Sequence, residues 1–350
     1  MILYLFFIIL TFSISCIAKK TEKKLFLWII IGVLTIAAGF RGNDVGIDTP
    51  NYYSDIVNRF PYHWQFREEG FRFISNLILS TTENPQIVFI FCAFVTNTLI
   101  LLRLWDFRDN VDFSLEVLLY LLVHYSNTLN IMRQYVAVSI VFFASRYLFK
   151  KKYVLFLVSL ILASFFHRSA LLGIIMFMIA VWESLNKKKK KILLFPFVGF
   201  ATIIIIYVYT YLNVDISSYS MHTISNINLP FFYHILLYLF ACFVYKKNVY
   251  LKVTNKNDVV TPYKSILDIR ILIFTLIGIG FESLSMFFAF VGRTGLYFIL
   301  YEIVFWAFLC KNSKNKIVFT ILIMIYAFYS FIQVFTRNSY GIIPYYLFLY

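Results

Sequence analysis

The sequence is poor in charge. Only 14% of its 350 residues are charged, and 17 are acidic. A soluble domain needs a charged surface, and a chain that is 61% hydrophobic and 21% aromatic has too little polar material to make one. Cysteine is scarce as well. Cys16, Cys92, Cys242 and Cys310 each lie in an apolar run without a short pair spacing, which argues against a zinc site or a disulfide framework and reads as packing. Low-complexity tracts and long internal repeats are absent. So are a P-loop, an H-E-x-x-H pair, a Gly-rich nucleotide loop and a D-x-D on a cytosolic domain.

What the chain has is apolar runs of the length a helix needs to cross roughly 30 Å of hydrocarbon. They are continuous rather than alternating, which disfavours a β-barrel. Mean hydropathy is +0.78. The expected fold is all-α, a polytopic membrane protein of about twelve transmembrane helices in a single domain, 1–350. The spans read as about 1–18, 25–40, 86–102, 113–126, 131–149, 153–166, 169–182, 192–212, 230–245, 268–291, 294–310 and 317–335. The first is kept as a helix, because it has neither a basic n-region nor an A-x-A cleavage site.

The net charge of +15 comes mostly from short lysine runs between spans, so it reads as positive-inside topology and not as a nucleic-acid surface. Strict alternation through twelve spans puts the lysine groups at 19–24, 150–152, 187–191, 246–264 and 311–316 all on the cytoplasmic side. Both termini are then extracytoplasmic, as is the long loop 41–85. Within that loop "EEGFRFISNLIL" sets Phe71, Ile74, Leu77 and Ile78 on one helical face, the pattern of an amphipathic helix in the outer interface.

This topology sorts cations by type. Every lysine falls inside, whereas Arg41, Arg59, Arg67, Arg72, Arg133, Arg168, Arg293 and Arg337 fall outside. Arginine is the cation whose planar fork takes phosphate oxygens bidentately. Snorkelling, or pairing with Asp44, Asp48, Asp55, Glu68 or Glu69, explains single arginines; eight together favour an anionic ligand. Arg133 and Arg293 stand at the outer mouths of apolar helices, with Gln134 beside the first. His167 lies in a short turn with Arg168 and Ser169, and Ser169 there can also be a plain helix cap. In "RGNDVGIDTPNYYSDI" Asp44 and Asp48 offer carboxylates, Asn51 and Tyr52 neutral donors, and Arg41 a cation. The mixture suits a polyhydroxylated ligand carrying phosphate, and Asp48 or Thr49 followed by Pro50 also suits a helix start. Glu282 and Glu302 are acids inside spans, Glu282 nearer the outer side and a candidate for the site.

These residues resemble the motifs of the EpsG family of Wzy-type polysaccharide polymerases. "RGNDVGIDTPNYYSDI" is similar to its R-x-G-x-D-T-x-x-Y loop and "EEGFRFISNLI" to its acidic-Gly-aromatic segment. "NIMRQYVAVSI" through "ASFFHRSALLGIIMF" is similar to its Arg-Gln helix followed by Ala-x-x-Phe-His-x-Ser, and "GRTGLYF" to its late Arg-x-x-x-Tyr-Phe. The resemblance implies a GT-C-like, metal-independent glycosyltransferase of the bacterial inner membrane, without a cofactor. It would move a growing glycan from undecaprenyl pyrophosphate onto the next lipid-linked repeat unit at the outer face. Lipid-linked oligosaccharides would be donor and acceptor, with a chain-length regulator and a flippase as further expected partners, and no nucleic acid. On this reading Arg41, Arg133 and Arg293 neutralise pyrophosphate, with Arg168 and Ser169 beside them. His167, or one of Asp44 and Asp48, takes the acceptor proton, and Asn51, Tyr52 and Gln134 position sugar or phosphate. The rivals are a lipid-linked oligosaccharide flippase, an outer-face ligase using the same donor, and a membrane O-acyltransferase. Charge concentrated at one face argues against the flippase, and no histidine lies buried near the cytoplasmic side for the acyltransferase.

Overall fold

The structure is a computed structural model that describes residues 2–60, 68–185, 235–236, 239, 268–284, 289–313, 316–338 and 340–348. Among these residues every regular element is helical, and the lone backbone bridge, Arg41 with Leu347, is isolated. In chain order the helices are α1 Ile2–Thr21, α2 Lys24–Gly39, α3 Thr49–Val57, α4 Glu69–Thr81, α5 Gln86–Trp105, α6 Phe113–Leu119, α7 Tyr125–Asn130, α8 Met132–Phe149, α9 Tyr153–Phe166 and α10 Ile174–Ser184. They continue with α11 Ile269–Leu284, α12 Ala289–Ile299, α13 Tyr301–Asn312 and α14 Lys316–Arg337.

Helices occupy ten of the twelve apolar stretches read from the sequence; those at 192–212 and 230–245 lie almost wholly outside the described residues. On length and composition α1, α5 and α14 are each able to cross a membrane, and α2 and α9 are shorter apolar helices. The protein is therefore membrane-embedded.

Two stretches are segmented. Between α6 and α7 the residues Tyr120–His124 form a π-helical turn, and α7 ends at Ile131, whose backbone (φ −95°, ψ 57°) leaves the helical region before α8 begins. Arg168–Gly173 form a 3₁₀ turn ahead of α10. A third difference concerns the late spans. The expected turn at 292–293 is helical, and the chain bends by 45° between Gly292–Ile299 and Tyr301–Asn312. Arg293 therefore lies within α12, not in a loop.

Hydrogen bonds and ion pairs sort the bundle into two ends. At one, Lys19 pairs with Asp112, and Arg146 bonds Asp106 at 2.6 Å. Arg270 donates to the Leu148 carbonyl at 2.9 Å, and Lys311 donates to the carbonyls of Asp109 and Val111 at 3.2 Å. At the other, the Asp48 N–H donates to Asn130 Oδ1 at 2.9 Å, Gln86 Nε2 donates to the Arg41 carbonyl at 3.2 Å, and Gly42 N–H donates to the Tyr346 carbonyl at 3.0 Å. Lys19 and Lys311 thus share an end, through Asp109, Val111 and Asp112, and the loop 41–48 lies at the other end of α2 from Lys24.

Gly46 shows how tightly that loop is held. Its φ is +106°, and a Cβ placed there would lie 2.6 Å from the Leu129 carbonyl oxygen. Gly46→Ala should therefore cost about 2 kcal/mol of stability, read as a lowered Tm in detergent; an unchanged Tm would contradict the placement.

In the bundle core His124 Nε2 meets Glu302 Oε1 at 2.9 Å, and the Tyr326 hydroxyl donates to the same oxygen at 3.3 Å. This pair ties the π-helical turn to α13 and α14. Removing one member of a buried pair strands the other, so His124→Ala should destabilise the fold by roughly 3 kcal/mol, measurable as loss of folded protein on thermal titration.

Candidate functional site at the arginine end

Arg133 and Gln134 stand in the first turn of α8. The partial positive charge of a helix N-terminus disfavours a cation there and favours an anion, so an arginine in that turn points to anion binding, not to helix stability. The Arg133 guanidinium lies 4.9 Å over the Tyr52 ring and 5.7 Å from the Phe71 ring, and it pairs with Glu68. Tyr52 is buried on α3, which starts at Thr49 with Pro50 in its first turn. Asp48 precedes that helix without capping it through its side chain; Thr49 Oγ1 instead donates to the Val45 carbonyl at 2.8 Å.

The second arginine comes from α12. Arg293 is exposed, and Gln134 Nε2 donates to its backbone carbonyl at 2.6 Å, fixing α12 against α8. One turn on, the Tyr297 hydroxyl meets Ser169 Oγ at 2.9 Å, and Ser169 Oγ meets His167 Nδ1 at 2.7 Å. His167 closes α9 with an extended backbone: its N–H donates to the Ala163 carbonyl at 3.0 Å, and its own carbonyl accepts from Ala170 N–H at 2.9 Å. The imidazole is thereby fixed in place, and its Nε2 edge lies 3.7 Å from Glu68 Oε1. Burial, together with the Arg133 and Arg293 charges, pushes His167 down to about 3. It is neutral at physiological pH, with one ring nitrogen able to accept a proton.

Glu68 arrives through α4. That helix buries Phe71, Ser75 and Leu79, whereas Leu77 faces outward, so the stripe is turned from the face expected of Phe71, Ile74, Leu77 and Ile78. Gly70 explains the turn: a Cβ there would lie 2.7 Å from Phe165 Cβ and 3.0 Å from the Phe165 carbonyl, so only glycine lets α4 sit on the end of α9. Glu68 itself has φ +45° and ψ +56°, a left-handed backbone costing about 1 kcal/mol for a residue with a Cβ.

The other sequence candidates lie around this cluster. Arg41 is buried, 1% exposed, with Nε donating to the Val45 carbonyl at 3.2 Å and Nη1 to that of Ala38, while its guanidinium faces the Phe89 ring at 4.9 Å. Burial pushes it down to about 10, so it stays charged, and in this conformation its donors hold the loop. Asp44 is exposed and accepts from the Tyr346 hydroxyl, which raises that phenol above its ordinary range. Asp48 is half-buried within electrostatic reach of Tyr52, and Asn51 is exposed on α3. Arg168 opens the 3₁₀ turn beside His167. Glu282, near the end of α11, is exposed and acts electrostatically on Tyr340. His63, His222 and His234 lie outside the described residues. Among the described residues no group of three or more His, Cys, Asp or Glu is placed to hold a metal ion.

The cluster therefore joins Arg133, Arg293, His167, Ser169, Tyr52 and Gln134 from four parts of the chain. Sequence reasoning left out Glu68 and Tyr297 as site residues, although both lie inside the motif segments "EEGF" and "GRTGLYF". Two cations, a neutral imidazole and phenol and amide donors can bind a phosphorylated ligand and remove a hydroxyl proton.

The chain matches no curated protein and no solved structure. The family model that matches it is that of the EpsG family, over residues 24–347. That range contains every residue of the cluster, and the chain belongs to the EpsG family, a Wzy-like family of polysaccharide polymerases.

Proposed function

We propose that the protein lengthens a polysaccharide at the extracytoplasmic face of a bacterial cytoplasmic membrane, taking the growing glycan from undecaprenyl pyrophosphate and adding it to a lipid-linked repeat unit. The observation that carries this reading is that Arg133 on α8 and Arg293 on α12 both lie within electrostatic reach of His167, with Gln134 bonding the Arg293 backbone. Polymerisation forms a bond from an acceptor hydroxyl oxygen to the donor's anomeric carbon and breaks that carbon's bond to pyrophosphate. The leaving pyrophosphate needs cations more than it needs an acid, and Arg133 and Arg293 supply them. The acceptor proton needs a base, and His167, neutral and held through Ser169, takes it at Nε2 when Nδ1–H donates to Ser169 Oγ and Ser169 donates to Tyr297. Tyr52 lies under the Arg133 guanidinium carbon, and Gln134 bonds the Arg293 backbone. Asn51 and Asp48 on and before α3 face sugar, and Arg41 keeps their loop in place. All twelve spans, with both termini outside, belong to the same proposal.

Deleting the gene and analysing lipid-linked glycans on each side of the membrane by mass spectrometry tests it. Single repeat units that reach the outer face and stay single support polymerisation. Units trapped inside would mean a flippase, and full-length glycan left on its lipid would mean a ligase.

A further inference from the structure

Glu68 belongs to none of the roles above, yet it touches two of the groups that carry them. One carboxylate oxygen pairs with Arg133 and the other lies 3.7 Å from His167 Nε2. That second distance is too long for a hydrogen bond and has to close by roughly 0.8 Å to become one. A small side-chain rotation covers such a gap. The residue also holds a left-handed backbone, φ +45°, next to the Gly70 contact that fixes α4 on α9. Strain of this kind persists where surrounding structure imposes it, and it concentrates at functional sites.

We propose that Glu68 is a positioning residue with two partners: Arg133 holds it in the free protein, and a diphosphate that takes Arg133 displaces it onto the Nε2 edge of His167. This inference rests on the polymerase reading and extends it. A carboxylate and a diphosphate want the same guanidinium fork, so they compete for it. The displaced carboxylate then stabilises the imidazolium formed when the acceptor hydroxyl gives up its proton.

The charges around the imidazole agree with that order of events. Acting on it are Glu68 from before α4, Arg133 from α8, Arg293 from α12, and Ser169 from its own turn, which in turn meets Tyr297. The two guanidiniums are what hold it down beyond burial. Diphosphate cancels their charge and Glu68 adds its own, and both changes make the imidazole a stronger base. The base thus gains strength only once the donor is seated, which guards an activated glycan against premature loss to water.

The test measures inorganic pyrophosphate binding by calorimetry, on full-length protein in nanodiscs, for wild type, Arg133→Ala, Glu68→Gln and Glu68→Asp. Polymer synthesis from lipid-linked units is measured alongside. Because Glu68→Gln removes a competitor, pyrophosphate should bind it about tenfold more tightly than wild type, while polymerisation falls about 100-fold. A merely structural or substrate-binding Glu68 would weaken both. Glu68→Asp keeps the competing charge but shortens the reach, so it should bind pyrophosphate as wild type does and polymerise slowly; full polymerisation by it would overturn the proposal. Wild-type binding that depends on Arg133, with no gain in Glu68→Gln, would also overturn the proposal and leave the polymerase reading standing. Pyrophosphate binding indifferent to Arg133 would overturn both.

Discussion

Replacing Arg133 with lysine should slow polymerisation about 100-fold, although the charge is kept. The argument is geometric. The guanidinium carbon lies 4.9 Å over the Tyr52 ring, and the side chain starts from the first turn of α8, where backbone N–H groups add to the attraction for an anion. An ammonium group stacks less well and offers one point of contact where the fork offers two. Arg133→Ala should abolish polymer, and both variants should accumulate in the membrane at the wild-type level. Near-normal rate and chain length in Arg133→Lys would contradict the bidentate role.

The loss for His167→Ala should be about 1,000-fold. Its pH behaviour gives a sharper test, because the sign follows from its surroundings. The imidazole is held down to about 3 in the free protein, so it accepts protons throughout the range above that. The kcat/KM profile, which reports the free enzyme, should therefore show no acid limb from His167 between about pH 5 and 8. With donor bound the arginine charges are neutralised and the midpoint rises, so kcat should decline on the acid side. A kcat that stays flat there, together with an active His167→Ala, would remove His167 from the chemistry.

Much of the helical layout was legible in the sequence because bilayer length and lysine placement are strong, one-dimensional signals. Helix starts near 25, 131 and 153 fall within a residue or two of expectation, since Lys24, Ile131 and Lys152 mark where apolar runs begin. The break inside the late spans was not legible. "AFVGRTGLYFIL" is apolar enough to hide that Arg293 is helical and that the bend comes at Leu300. Nor was the face of α4, which depends on a contact between Gly70 and Phe165 that no periodicity records.

The site divides in the same way. Arg133, Gln134, His167 and Ser169 are close in the sequence and share one end by topology, and Arg293 joins them by the same rule. Glu68 does not, because its partner is 65 residues away and its surface-loop context suggests only an incidental ion pair. Arg41 is the converse case. Its position at a membrane edge invites a phosphate role, while the described loop folds its guanidinium onto the carbonyls of Val45 and Ala38.

Reconstitution tests the central claim most directly. Purified protein in proteoliposomes, given undecaprenyl-pyrophosphate-linked repeat units and no nucleotide, should produce a ladder of longer glycans and release one undecaprenyl pyrophosphate for each linkage formed, with Arg133→Ala and Arg293→Ala giving none. Movement of repeat units across the bilayer without lengthening would contradict it.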